Sequence, residues 1–242
     1  MDVAPEDKGE NVRREICLTL LDMGITPESS HHEEGPGQNE IDFRYSDAMT
    51  AADDAMNFLT VVKAAAQRNG LYADFSPKPL DGESGNGLHI NMSVKCNDAF
   101  MAGILAHIKE MTAVLNPTEQ SYKRLGEKKA PKYITWSPEN RSQLIRVPAA
   151  KGEYKRIELR SPDPTVNPYI AYALLIYAGL DGIEKGLQSP EAVNVNLYKA
   201  EKSLTDTLQK LPDTLEEAKT LAAASPFMKE ILGESLNDIL GL

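Results

Sequence analysis

Glu33, Glu40, His89 and Glu158 are side chains that could hold a divalent cation, and Arg124, Arg141, Arg146, Arg156 and Arg160 share the chain with them. Three carboxylates and one imidazole suit Mg²⁺ or Mn²⁺ better than structural zinc, because hard cations take oxygen donors. Guanidinium groups pair bidentately with phosphate and carboxylate, so several converging arginines point to an anionic substrate. Cations bridging phosphates, with arginines on the transferring group, are what phosphoryl transfer requires. No Walker-type glycine loop and no Gly-x-Ser-x-Gly elbow offers a competing chemistry.

Five stretches supply these residues, and each also has a plainer reading. "SSHHEEGPGQNEIDFRY", Ser29 to Tyr45, gathers two histidines and several carboxylates around a Gly-Pro-Gly turn; a loop could carry them as solvated charge. In "GLHINMS" alternation sends Leu88, Ile90 and Met92 to one face and His89, Asn91 and Ser93 to the other, which also describes a sheet with one wet face. In "YKRIELRSPDP" Arg156, Glu158 and Arg160 share a face, as they would in an exposed ion-pair ladder. "NRSQLIR" and "SYKRLGEKK" make the centre of an acidic chain locally cationic, either as an anion site or as a patch balancing nearby acids. A single cleft accounts for all five together.

The elements that must position them follow from periodicity. Val12, Ile16, Leu20 and Met23 form a helical stripe closed by Gly24. Asn39–Tyr45 alternates as a strand. Ser46 or Asp47 caps an Ala-rich helix that Gly70 ends near Asn69. Short strands are expected at Leu71–Phe75 and Leu88–Ser93, then a helix over Ala99–Leu115, then irregular segments and short strands as far as Arg160. Pro168 opens an apolar helix, and two or three amphipathic helices occupy Leu204–Leu242. Without a regular βαβ rhythm, the pattern predicts an α+β fold: a curved, largely antiparallel sheet flanked by helices. Residues 1–190 would carry the sheet and site, and 191–242 a helical part. "MDVAP" reads as the end of a strand, and so as part of a longer chain.

Composition narrows the class. The chain of 242 residues is 41% hydrophobic and 26% charged, ordinary for a globular protein. Its net charge of −10 argues against a nucleic-acid or membrane-surface partner. The two cysteines, Cys17 and Cys96, give no disulfide framework. With no signal peptide visible, a cytoplasmic location is expected.

In order, "SHHEEGPGQNEIDF", "PKPLDGESGNGLHINMS", "NPTEQSYKRL", "NRSQLIRVP" and "RIELRSPDPTVNPY" resemble the C-terminal part of the catalytic domain of type I glutamine synthetase. That family makes an acyl phosphate from glutamate and ATP and displaces the phosphate with ammonia. The resemblance implies that Glu33 and Glu40 hold one Mg²⁺ or Mn²⁺ and that His89 and Glu158 hold another. It places Gly85 in the loop approaching the substrate amino acid, and Arg124 and Arg160 on its carboxylate. Arg141 falls beside the transferring phosphoryl group, while Ser93, Arg146 and Arg156 fall on the nucleotide.

Departures from the family pattern qualify the expected activity. Ser84 stands where the family usually has Asn. "GEKKAP" replaces the flap "VPGYEAP" and is one residue shorter, leaving Glu127 as the nearby acid, out of register with the flap glutamate. The family's N-terminal β-grasp domain, and a Glu-x-Glu strand that brings further metal ligands, have no counterpart here. The resemblance therefore implies an ATP-dependent glutamate–ammonia ligase whose site forms between subunits of a large homo-oligomer, with this chain alone inactive. Alternatives are a ligase joining glutamate to a larger amine, as in γ-glutamylpolyamine synthesis, and a non-catalytic family member.

Overall fold

The computed structural model describes residues 7–95, 97–150, 152 and 155–242; the strand expected at "MDVAP" lies outside them. The chain divides into two compact units, one of residues 1–75 and 82–84, the other of residues 76–81 and 85–242.

The first unit packs α1 (Glu10–Asp22) and α2 (Ala48–Arg68) with the hairpin β1 (Pro27–His32) and β2 (Asn39–Phe43). Ile16 and Leu20, one turn apart on α1, meet Val61 and Ala65 of α2, and Ile41 and Phe43 pack against that core from β2. Asp47 starts α2 by accepting hydrogen bonds from the Met49 and Thr50 amides. Gly24 follows α1 at φ +87°, a left-handed conformation that glycine adopts without strain.

The second unit is built on a four-stranded sheet in the order β3 (Ile90–Met92), β6 (Ile157–Leu159), β5 (Ile145–Val147), β4 (Trp136–Pro138). Its pairings are antiparallel except β4 with β5. Ile104, Ile108, Met111 and Leu115 recur every three or four residues along α3 (Asn97–Leu115). They share one core with Leu174 and Leu175 of α5 (Pro168–Glu184) and with Ile145, Ile157 and Leu159 of the sheet. Towards the C-terminus lie the short helices α6 (Lys202–Thr205), α7 (Leu215–Ala224), α8 (Pro226–Leu232) and α9 (Ser235–Leu240).

The α+β class and largely antiparallel pairing agree with the sequence pattern. Residues 71–75 differ, forming no strand. A β-pattern needs a neighbouring strand to bond, and among the described residues this one has none. An extra helix, α4 (Glu119–Arg124), lies where irregular structure was expected. Thr118 and Ser121 close it in a reciprocal capping box, and Arg124 ends it. Thr118→Ala should therefore lower the stability of the second unit by about 1 kcal/mol. Trp136, the single tryptophan, lies in this unit, so its fluorescence during urea unfolding reports the shift.

Candidate functional site

In the first unit the hairpin register sets the chemistry. His31 pairs directly with Glu40, and Glu33 follows His31 by two residues, so it lies on the same face. The intervening turn is closed by the Glu33 amide donating to the Gln38 carbonyl at 2.8 Å, with Gly37 at φ +68°. His31 Nε2 lies 3.3 Å from Glu33 Oε1 and 3.9 Å from Glu40 Oε1, and one donor atom from each of the three residues falls within 4.8 Å of the others. Two carboxylates and an imidazole at that spacing fit a divalent cation. Glu33 and Glu40 were expected as donors. His31 was not singled out, although it stands in the same stretch.

In the second unit the chemistry runs across the sheet. Glu158 on β6 pairs in register with Arg146 on β5 and with Asn91 on β3. Glu158 is almost fully buried, 5% exposed as a residue, and both its carboxylate oxygens are engaged. Arg146 Nη1 donates to Oε2 at 2.6 Å, and Arg160 Nη1 donates to Oε1 at 2.5 Å. His89 Nδ1 lies 3.4 Å from Oε1, which places His89 and Glu158 on the same face, as strand alternation requires. About a third of the His89 side chain stays open to solvent (33%). Desolvation of the ring, then the charges of Arg160, Arg124, Arg141 and Arg146, hold its pKa well below the ordinary value. The imidazole is thus the neutral form that a cation needs.

The remaining arginines differ in what holds them. Arg124 is buried; its Nη1 donates to the Ser161 carbonyl at 2.7 Å and its Nη2 to the Arg160 carbonyl at 3.3 Å. Burial lowers its pKa to about 10, against the pull of Asp163, so it stays charged at neutral pH. Arg156 Nε donates to Asn91 Oδ1 at 3.1 Å. Arg141 is exposed, and its carbonyl accepts from Arg160 Nε at 3.0 Å. Ser93 is exposed just beyond β3. Gly85 sits where a Cβ would come 2.4 Å from the Pro77 carbonyl oxygen and 3.0 Å from Arg124 Cγ, so only glycine lets that loop lie against Arg124.

Asn116 Nδ2 donates to the Ser161 carbonyl and to Asp163 Oδ2, both at 2.9 Å, fixing the carbonyl that also receives Arg124. Lys78, on the loop before Gly85, is buried with its ammonium 3.9 Å from Glu127, whose side chain is mostly exposed. Gly126 and Glu127 line an open recess of about 340 Å³ together with Lys132 and Lys210.

Residues 1–239 match the family model described as glutamine synthetase, catalytic domain. The chain belongs to the glutamine synthetase family. It is 46% identical over 96% of its length to glutamine synthetase of Clostridium saccharobutylicum and 45% identical over 97% to that of Staphylococcus epidermidis. In both comparisons it spans 57% of the relative's length. Among solved structures it resembles a GmaS–ADP complex, with a TM-score of 0.87 at 31% identity over 97% of this chain and 60% of that one. Glutamine synthetase of Plasmodium falciparum, solved by cryo-electron microscopy, gives a TM-score of 0.86 at 26% identity over 100% of this chain and 59% of that one. Among the described residues, no helix of this glutamine synthetase-family chain is long and apolar enough to cross a membrane.

Proposed function

We propose that this chain serves an ATP-dependent ligase that joins ammonia to the side-chain carboxylate of glutamate through an acyl phosphate. The observation carrying this reading is the Glu158 cluster, a buried carboxylate ringed by His89, Arg146 and Arg160 in a family member. In this reading Glu33 and Glu40 hold one Mg²⁺ or Mn²⁺, and His89 and Glu158 another. Bound cations would neutralise and bridge the phosphate charge during transfer. Arg124 and Arg160 orient the substrate carboxylate, and Gly85 lets the substrate approach. Arg146, Arg156 and Ser93 face the nucleotide phosphates, consistent with the ADP named in the similar GmaS complex. Arg141 stabilises the transferring phosphoryl group. The glutamate carboxylate oxygen attacks the terminal phosphorus, ADP leaves, and the amine nitrogen then displaces phosphate from the acyl carbon.

Each cluster brings two or three protein donors, and Mg²⁺ held by so few keeps several waters and binds weakly. We therefore expect turnover to need donors from outside these 242 residues, and from neighbouring subunits of a homo-oligomer. The test is glutamate-, ATP- and amine-dependent phosphate release, assayed on the whole protein carrying this chain and on the 242 residues alone. Turnover by the short chain comparable to the whole protein would overturn the need for further donors. No glutamate-dependent release by the whole protein would favour a non-catalytic family member, against which the retained cation donors speak.

A second reading concerns the acceptor. The flap "GEKKAP" is one residue shorter than the family's and its acid, Glu127, is out of register, which favours a larger amine. A panel running from ammonium to polyamines in the same assay separates the two. Arg160→Lys, in either case, should raise the glutamate KM about tenfold, because an ammonium cannot reproduce a bidentate carboxylate pair. An unchanged KM would remove Arg160 from that role.

A further inference from the structure

Glu158 offers its two oxygens to two guanidinium groups, and this pairing conflicts with a role as a cation donor. Arg146 Nη1 occupies Oε2 and Arg160 Nη1 occupies Oε1, the oxygen that also faces His89. With its side chain 7% exposed, Glu158 leaves little room for water to replace either partner. A divalent cation beside His89 and Glu158 would meet two positive charges already seated on its donor. The same two arginines are the natural partners for an anion, since guanidinium matches phosphate and carboxylate in shape and charge.

The geometry shows how one arrangement could convert to the other. Both arginines are tethered at Nε, Arg146 to the Glu139 carbonyl at 3.1 Å and Arg160 to the Arg141 carbonyl at 3.0 Å. What bonds Glu158 is the far end of each fork, the Nη1 group. Because the guanidinium is a rigid plane, a turn about Cδ–Nε would swing Nη1 off Glu158 while Nε stays beside its carbonyl partner.

We propose that Arg146 and Arg160 are exchangeable counter-ions of Glu158, so that a divalent cation takes the carboxylate and both guanidinium groups pass to an anionic ligand. Cation and anion then bind this unit cooperatively, and each strengthens the other by the same factor. The inference rests on reading Glu158 as a cation donor, and it adds an order to that reading. Without a cation the arginines are committed internally, and anions bind weakly.

The test uses Mn²⁺ as the cation and sulfate as the anion, at constant ionic strength, in the 242-residue chain. Glu33→Gln and Glu40→Gln are present throughout to silence the hairpin cluster. Free Mn²⁺ is followed by electron paramagnetic resonance, and circular dichroism checks that each variant folds. Arg146→Gln and Arg160→Gln should each bind Mn²⁺ about tenfold more tightly, and sulfate should tighten Mn²⁺ binding about tenfold in the parent and little in either variant. Arg156→Gln removes a charge that stands just before β6 and bonds Asn91, and should change Mn²⁺ affinity less than about twofold. Equal gains from all three arginine variants would mean that general repulsion acts and exchange does not, which overturns the proposal but leaves Glu158 as a donor. If Glu158→Gln leaves Mn²⁺ binding unchanged, the donor reading itself fails. Should Arg160→Gln not fold, Arg146→Gln decides the outcome, because its side chain is the less buried at 21% exposure.

Discussion

Replacing Glu158 with alanine is expected to destabilise the second unit by about 3–5 kcal/mol, a large share of a domain's stability. The cause lies in what remains afterwards. Arg160 is 4% exposed and would keep its charge with no carboxylate beside it, facing the second guanidinium of Arg146. Removing one partner of a buried pair costs more than the pair contributed, because the survivor's desolvation is no longer offset. Glu158→Gln should cost less, since one oxygen still accepts a hydrogen bond while the new amide group faces a donor. Glu40→Gln offers the contrast: its side chain is 40% exposed on the hairpin, so stability should change by less than about 0.5 kcal/mol. Both positions should nevertheless weaken Mn²⁺ binding. Urea unfolding followed by Trp136 fluorescence, beside Mn²⁺ titration, separates the two effects. A Glu158→Ala protein as stable as the parent would show that the arginines find water or other partners.

How far this site was legible in the sequence depended on the range of the interactions. Alternation is local, and it placed His89 beside Asn91 and Glu158 beside Arg156 and Arg160 on the correct faces. Helix ends were equally local: Gly24, Asp47, Gly70 and Pro168 each mark a boundary by their own backbone or side-chain chemistry. Register is not local. Nothing in "NRSQLIR" says that Arg146 will pair with Glu158, because that depends on how β5 aligns with β6. The parallel pairing of β4 and β5 was invisible for the same reason. Residues 71–75 failed in the opposite sense, with a strand-like pattern but no ladder among the described residues. Two misses had readable signals. Thr118 and Ser121 are spaced as a capping box, and His31 lies two residues before Glu33 on a strand.

Gly182→Ala is the other substitution expected to have a large effect, and here propensity and packing oppose each other. In a free helix alanine is favoured over glycine by about 0.5–1 kcal/mol, so on α5 the change should stabilise if nothing stood nearby. A Cβ on Gly182, however, would lie 2.2 Å from the Ala99 carbonyl oxygen and 2.7 Å from Gly103 Cα. On the facing helix, a Cβ on Gly103 would lie 2.0 Å from the Ala178 carbonyl oxygen. The atoms in the way are backbone, which cannot rotate aside as a side chain can. To admit one methyl group, α3 and α5 must move apart, and the core between them carries Ile104, Ile108, Leu174 and Leu175. Overpacking of this kind costs about 1–3 kcal/mol and occasionally more, and two rigid backbones put this case at the upper end. Gly186→Ala isolates the backbone contribution: it has φ +60° with nothing within 4 Å, so its cost of about 1–2 kcal/mol comes from conformation alone. Gly182→Ala should therefore unfold at a lower urea concentration than Gly186→Ala, with both below the parent. If the order is reversed, α3 and α5 can separate at little cost, and close glycine contact is not what sets their packing.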